Sequence, residues 1–385
     1  MKSKITIIVF LLWTVYSCKA QNSDKNTTNR ITSAGKIIST GYWVPDKVQE
    51  IKGLKHGPFI RLADGNVLTA DGNQTYISRD EGRTWSAYSL IADTAKFTIS
   101  VGALIRTRKN VIILSFSNLK EKANWNWQKD IHDSPGSVLP TYAVRSMDGG
   151  KTWEAPEKLH EEWTGANRDM IETKDGSIVF TSMIMRHHPG HHTVLTYTSK
   201  DEGKTWTASN IIDLGGSGSH SGVMESTLVQ LKDGRLWMLL RTDWGDFWQT
   251  FSDDDGITWK ETGPTNIDAS SSPGMIKRLK SGRLVLVWNR LFPEGQMEYP
   301  LQKGDGNLSD LPTNWQRKEL SIMFSDNDGK NWSKPVVIAK VTKKGAQLSY
   351  PFIFEAKPGE LWITTSFGGG LGIKLYEKDF IVQCR

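Results

Sequence analysis

The sequence predicts an all-β fold, a six-bladed β-propeller of four-stranded antiparallel blades. Three observations predict it: a box of the form Ser-x-Asp-x-Gly-x-Thr-Trp occurs five times, a short turn between apolar runs occurs six times, and the two alternate along the chain. Repeats come first in such a reading, because a unit that recurs buries its apolar face only against its neighbours. Composition agrees, since 35 Gly, 16 Trp, 13 Phe and 9 Tyr in 385 residues suit many short strands, tight turns and an aromatic core.

The boxes occupy residues 78–85, 146–153, 199–206, 252–259 and 325–332, the last with Asn327 and Asn331 at the Asp and Thr positions. In such an element the Ser and Asp side chains hold nearby backbone N–H groups, Gly supplies a positive φ, and Trp plugs the gap between neighbouring sheets. Five equivalent carboxylates at a turn are structural, so none is assigned chemistry. The shorter turns are Asp64-Gly65, Lys109-Asn110, Asp175-Gly176, Asp233-Gly234, Ser281-Gly282 and Pro358-Gly359, each followed by a β-rich run. Six first hairpins and five second hairpins describe six blades, the last without a box. Within a blade both turn types fall at the bottom, which leaves the top for function. The strand-like segment 36–43 is expected to supply the outer strand that completes blade six.

The rest of the chain is read from charge and hydropathy. Lys2 and Lys4 precede an apolar run at 5–16, then Ser17-Cys18-Lys19-Ala20-Gln21. Residues 1–20 read as an export signal, too short for an ordinary membrane span. Two processing outcomes stay open: residues 15–18 resemble a bacterial lipobox that would lipidate Cys18, and cleavage after Ala20 would release a soluble protein. Residues 21–35 read as a flexible tether and 36–385 as the propeller, working in the periplasm, as an outer-membrane lipoprotein or secreted. Cys384 is the only other cysteine, so no intramolecular disulfide is expected in the mature chain. A net charge of +6 spread without a Lys/Arg block, and no nucleic-acid motif, argue against nucleic acid as partner. No cofactor or metal is expected, the only membrane contact would be the lipid anchor, and the chain reads as a monomer.

Strand a is innermost in a propeller, so residues at one offset before each short turn ring the axis at one height. Eight positions back lie His56, Val101, Asn167, Glu225, Pro273 and Tyr350. The returning ends of strand b add Asp71, Arg241 and Arg290, and the starts of strand c add His191, Trp244 and Arg317. A rim of Tyr, Glu, Asp and several Arg suits an anionic substrate.

At these residues the chain resembles the sialidases, over nearly all of its length after Lys36. In that family a Tyr is paired with a Glu, three Arg hold the substrate carboxylate, and an Asp in a blade-one loop is the acid/base. Tyr350, in Gln-Leu-Ser-Tyr, matches the nucleophile. Glu225, sixteen residues before Arg241, matches the Glu and second Arg, and Arg317, 33 residues before Tyr350, resembles the third. The resemblance implies a retaining exo-glycosidase that releases a terminal anionic sugar, sialic acid first, from a glycan. A neutral phenol avoids repulsion from a carboxylate-bearing anomeric centre, and Glu takes its proton.

The match fails at the first Arg, where residues 54–59 read Leu-Lys-His-Gly-Pro-Phe and His56 stands in its place. Imidazole cannot form the charged planar fork of guanidinium, and Lys55 and Arg61 are poor substitutes. Asp71 is the only carboxylate of its loop and the first choice as acid/base. His56 stays open as an alternative acid/base or as a hydrogen-bond donor to the sugar. Five of the eight histidines lie in residues 187–192 and at His220, and His191 and His220 read as substrate contacts rather than metal ligands. Arg290, Asn167 and Trp244 complete the substrate-binding set. Trp125, Trp127 and Trp248 stay open between sugar stacking and core packing. Two further functions stay open: His56-driven hydrolysis or elimination of another acidic polysaccharide, such as a uronic-acid glycan, and non-catalytic glycan binding.

Overall fold

The computed structural model describes residues 34–292 and 316–381, together with the backbone of the short pair Gln302–Lys303 and Pro312–Thr313. The expected signal segment, Cys18 and Cys384 lie outside the described residues. Six antiparallel sheets follow one another around a closed ring. Blade one comprises Phe59–Arg61, Val67–Asp71, Gln74–Ser78 and Ser86–Ser89; blade two Ile99–Arg106, Ile112–Asn118, Val138–Ser146 and Glu157–Glu162. Blade three comprises Met170–Glu172, Ile178–Arg186, His191–Ser199 and Thr207–Ala208; blade four Met224–Gln230, Leu236–Arg241, Asp246–Ser252 and Lys260–Asp268. Blade five is built on Met275–Arg278, Leu284–Trp288, Glu319–Ser325 and Val336–Lys340, and blade six on Ser349–Lys357, Glu360–Phe367 and Gly372–Tyr376.

The middle strands are apolar on both faces because blades stack face to face. All side chains of Leu236–Arg241 and Leu284–Trp288 are buried, whereas the outermost Ser86–Ser89 is largely exposed. The boxes form as their composition requires. In the first, Gly82 N–H donates to Ser78 Oγ at 2.8 Å, Thr84 N–H to Asp80 Oδ1 at 2.8 Å and Thr84 Oγ1 to Asp80 Oδ2 at 2.7 Å. These bonds to the charged form hold the Asp80 carboxyl down, at about 2. Glycine is required twice over at Gly150, where φ is +83° and an added Cβ would lie 2.2 Å from Leu68 on the preceding blade. Both turn types lie at one end, since Ser177 of a short turn donates to box residue Asp255 at 2.9 Å and Lys232 N–H donates to Asp328 at 2.7 Å.

Each box Trp packs into the gap behind its own blade. Trp85 sits with Phe59 and Phe354 between blades six and one, Trp153 with Ile112 and Tyr142, Trp206 with Phe180 and Tyr197, Trp259 with Val179 and Met238, and Trp332 with Trp237 and Leu286. The gap between blades five and six has no box Trp. Ile38, Tyr42, Val44, Val48 and Phe380 fill it instead.

That gap corrects the expected ring closure. Residues 36–43 do not complete blade six: Gly35–Ile37 pairs with Trp43–Pro45, and Trp43 pairs with Lys340 at the edge of blade five. The outer strand of blade six is Gln49–Glu50, opposite Lys374 and Ile373. The physical reason is the unfilled gap. The earlier segment brings the apolar side chains that seal it, and the residues nearest blade one in sequence are left to close the ring.

Candidate active site

Glu225 sits on a bulge. Met224 pairs with Arg241 and Thr227 with Leu239, so Glu225 and Ser226 share the space opposite Leu240, and the bulge re-aims the carboxylate into the ring. Arg241 ends the neighbouring strand and forms an ion pair with Glu225 Oε2 through Nη1. Tyr350 comes from the opposite arc, on the innermost strand of blade six, and its hydroxyl donates to Glu225 Oε1 at 2.8 Å. Arg241 Nη1 also donates to the Tyr350 oxygen at 3.2 Å, and its Nη2 to Ser271 Oγ at 3.1 Å. Arg317 stacks 5.5 Å from the Tyr350 ring centroid and donates to the Ser271 carbonyl at 3.0 Å.

Tyr350 has φ +61°, in the left-handed region that non-glycine residues avoid. Such a setting costs on the order of 1 kcal/mol and persists where the surroundings overdetermine it. Here the ring lies against Phe367 at 5.8 Å and between guanidinium contacts, while the hydroxyl is held at two points.

Electrostatics place the shared proton on the phenol. Burial pushes Glu225 up, but Arg241, the Tyr350 hydroxyl and Arg317 outweigh it and hold the carboxyl below its ordinary range. Burial and the Glu225 charge push Tyr350 up against Arg241 and Arg317. The pair is therefore a neutral phenol hydrogen-bonded to an ionised base, within the reach a general base needs. Burial holds His192 down at about 4 and His220 at about 3, so both imidazoles are neutral near pH 7.

The four residues that carried the resemblance are thus brought together, and the others divide. Arg241 is 2% exposed and is held by Glu225, Tyr350 and Ser271. Arg290 does not join the cluster: its Nε lies 3.5 Å from Asp268 Oδ1, and Asp268 also accepts the Leu291 N–H, so blade four holds it. His191 does not join either, because its Nε2 engages Asp213 at 2.9 Å. The neighbouring His192, buried with Nε2 on the Ser219 carbonyl and Nδ1 unpartnered, is the member of the pair electrostatically coupled to Glu225 and Arg241. His220 lies 6.5 Å from it, ring to ring, and is coupled to Arg241, Glu225 and Arg317.

Asn167 is buried between blades two and three, accepting from Thr141 at 3.4 Å with Nδ2 unpartnered. Asp71 is exposed at the tip of a blade-one hairpin, paired across the turn with Gln74, and its carboxylate makes no hydrogen bond or ion pair among the described residues. His56 is also exposed. Its ring faces Gly370, its carbonyl accepts from Thr69, and it makes no hydrogen bond to Tyr350, Glu225 or Arg241. Lys55 lies over the Tyr76 ring and Arg61 is held by Glu81, so neither replaces the missing blade-one arginine. Trp244 is 40% exposed, edge-on to Trp248. Trp125 stacks on Trp163 at 4.1 Å, a packing role.

Two residues escape the sequence reading. Arg168, next to the register residue Asn167, is 3% exposed with its guanidinium against Tyr350. Asp243, two residues past Arg241, has both carboxylate oxygens buried without a hydrogen-bond partner, and burial pushes it up to about 6. The folded-state pKa lies above the ordinary 3.8, so the fold favours the protonated acid. Its own contribution to stability is fully present below pH 3.8 and is lost as pH rises through about 6. Asp243→Asn is therefore expected to stabilise the protein at pH 7 by about 2–3 kcal/mol, the gain vanishing below pH 4. Urea unfolding at pH 4, 6 and 8 checks this, and a constant difference across pH contradicts it.

The six-bladed propeller, with a Tyr–Glu pair braced by arginines at its axis, has a sialidase-like fold. The family model for the BNR repeat-like domain matches residues 74–363, and the chain belongs to that family. Among solved structures, a protein of unknown function from Dyadobacter fermentans matches at 15% identity, with TM-score 0.58, over 86% of this chain and 98% of that one. The Hadza microbial sialidase Hz136 matches at 15% identity and TM-score 0.57, over 84% of this chain and 65% of its own. An α-L-arabinanase from Penicillium chrysogenum matches at 12% identity and TM-score 0.52, over 90% of this chain and all of that one. At these identities the likeness is one of fold.

Proposed function

We propose that the protein is a retaining exo-glycoside hydrolase that releases a terminal anionic sugar, sialic acid being the first substrate to test. The observation that carries this reading is the Tyr350 hydroxyl hydrogen-bonded to an ionised Glu225 beneath Arg241 and Arg317. In the first step the phenol oxygen attacks the anomeric carbon as its proton passes to Glu225 Oε1. The glycosidic C–O bond breaks and the departing oxygen takes a proton from an acid, for which Asp71 is the candidate. Water then reverses the sequence, so the anomeric configuration is retained. Arg241 and Arg317 supply the positive potential that an acid group on the sugar requires. The basic and apolar residues 1–16 support work outside the cytoplasm, on extracellular glycan.

The test is a panel of fluorogenic sialosides, uronic-acid oligosaccharides and arabinosides, with the first product's anomer read by NMR. Release of sialic acid with retention is expected. An unsaturated ultraviolet-absorbing product, or inversion, overturns the mechanism, and binding without turnover of any member points to a lectin-like role.

A further inference from the structure

Arg168 leaves the innermost edge of blade three, and its guanidinium reaches the blade lying directly across the ring. Its Nη2 donates to the Pro351 carbonyl of blade six. Its Cζ lies 4.4 Å from the Phe352 ring centroid and 5.5 Å from that of Tyr350. The side chain therefore spans the axis. The innermost strands also line a cavity of about 730 Å³ that includes Asp169, Met170, Lys277 and Phe354 but none of Arg168, Tyr350, Glu225, Arg241 or Arg317.

We propose that Arg168 is a positioning residue for Tyr350, holding the phenol in its left-handed backbone setting and favouring its anion. This rests on the reading of Tyr350 as nucleophile. Guanidinium suits the task where ammonium does not: it is planar, so it covers two aromatic rings while donating in its own plane to a carbonyl. The charge is held at a cost, because Arg168 is almost wholly buried and its Nε has no hydrogen-bond partner. Burial draws its own affinity for the proton down, while Glu225, Tyr350 and Asp169 pull the other way, and a guanidinium so placed stays charged. At the blade-one position where the family resemblance expects an arginine stands the exposed His56. The third cation at the nucleophile thus comes from blade three and acts through the phenol rather than by touching substrate.

Tetranitromethane nitrates tyrosine through its phenolate, so the nitration rate of Tyr350 reports its ionisation without any substrate. The rate is read by peptide mass spectrometry against Tyr88 in the same sample, for wild type, Arg168→Met, Arg168→Gln and Arg168→Lys. Loss of the cation is expected to slow Tyr350 roughly tenfold, one pKa unit, with Tyr88 unchanged, and lysine to restore part of the rate. Arg168→Gln keeps a donor for the Pro351 carbonyl and decides the matter if the Met variant does not fold. Tyr350 nitrated as fast as in wild type in a folded Met or Gln variant overturns the proposal. Kinetics on an accepted glycoside are expected to show kcat falling with KM nearly constant. Arg168-dependent nitration without turnover of any glycoside retires the hydrolase reading and leaves the hold on Tyr350; turnover with Arg168-independent nitration does the reverse.

Discussion

Tyr350→Phe is expected to lower kcat at least about 10³-fold while the protein stays folded, because it removes the attacking oxygen and nothing else. The ring keeps its packing against Phe367 and its guanidinium contacts with Arg168 and Arg317. The hydrogen bonds to Glu225 at 2.8 Å and from Arg241 at 3.2 Å disappear, together with the polar interaction of the hydroxyl with Arg317, and Glu225 remains paired with Arg241. A loss of about 1 kcal/mol in stability is the expected accompaniment. The pH profile gives a second handle: Glu225 is held below the ordinary carboxylate value of 4.5, so the acid limb of kcat/KM set by this base lies below that value. Steady-state kinetics from pH 3 to 8 and urea unfolding of both proteins measure these outcomes. More than a tenth of wild-type turnover in the variant would remove Tyr350 from the chemistry.

Arg241→Met carries the largest expected effect on stability. It leaves the Glu225 carboxylate buried and stripped of its counter-charge, and breaking such a pair costs about 3–5 kcal/mol. Glu225 then titrates upward, so the loss is smaller at pH 4, where the acid is protonated, than at pH 7. Replacing both partners, Glu225→Leu with Arg241→Met, removes the uncompensated charge and is expected to recover most of the deficit. Urea denaturation of the two single variants and the double variant closes the cycle. A double variant no more stable than Arg241→Met would mean that the ion pair is incidental to the fold.

The blades were legible because their signals are local. A Gly at a positive-φ turn, a Ser–Asp pair over four backbone amides and a buried two-faced strand are written in a few adjacent residues. Tyr350, Glu225, Arg241 and Arg317 were legible because strand spacing carries each to the same end of the ring. What escaped depends on partners distant in sequence. Arg168 stands one position off the shared register, so counting selected Asn167, which faces the neighbouring blade. Arg290 stood at the right height but Asp268 captures it, and His191 is likewise taken by Asp213 while His192 turns inward. The segment 36–43 carried a strand pattern without an address, which was set by a gap lacking its tryptophan.

That gap also governs the order of assembly. The Tyr42 hydroxyl bonds the Gly368 carbonyl, and Thr342 bonds the Gly41 carbonyl, linking residues more than 300 positions apart. Contacts of such separation close slowly, because the loop entropy is lost before the contact forms. The first hairpin of the domain to leave the ribosome waits undocked until blades five and six have been made, so the ring closes late, with its most local hairpins formed long before its final seam.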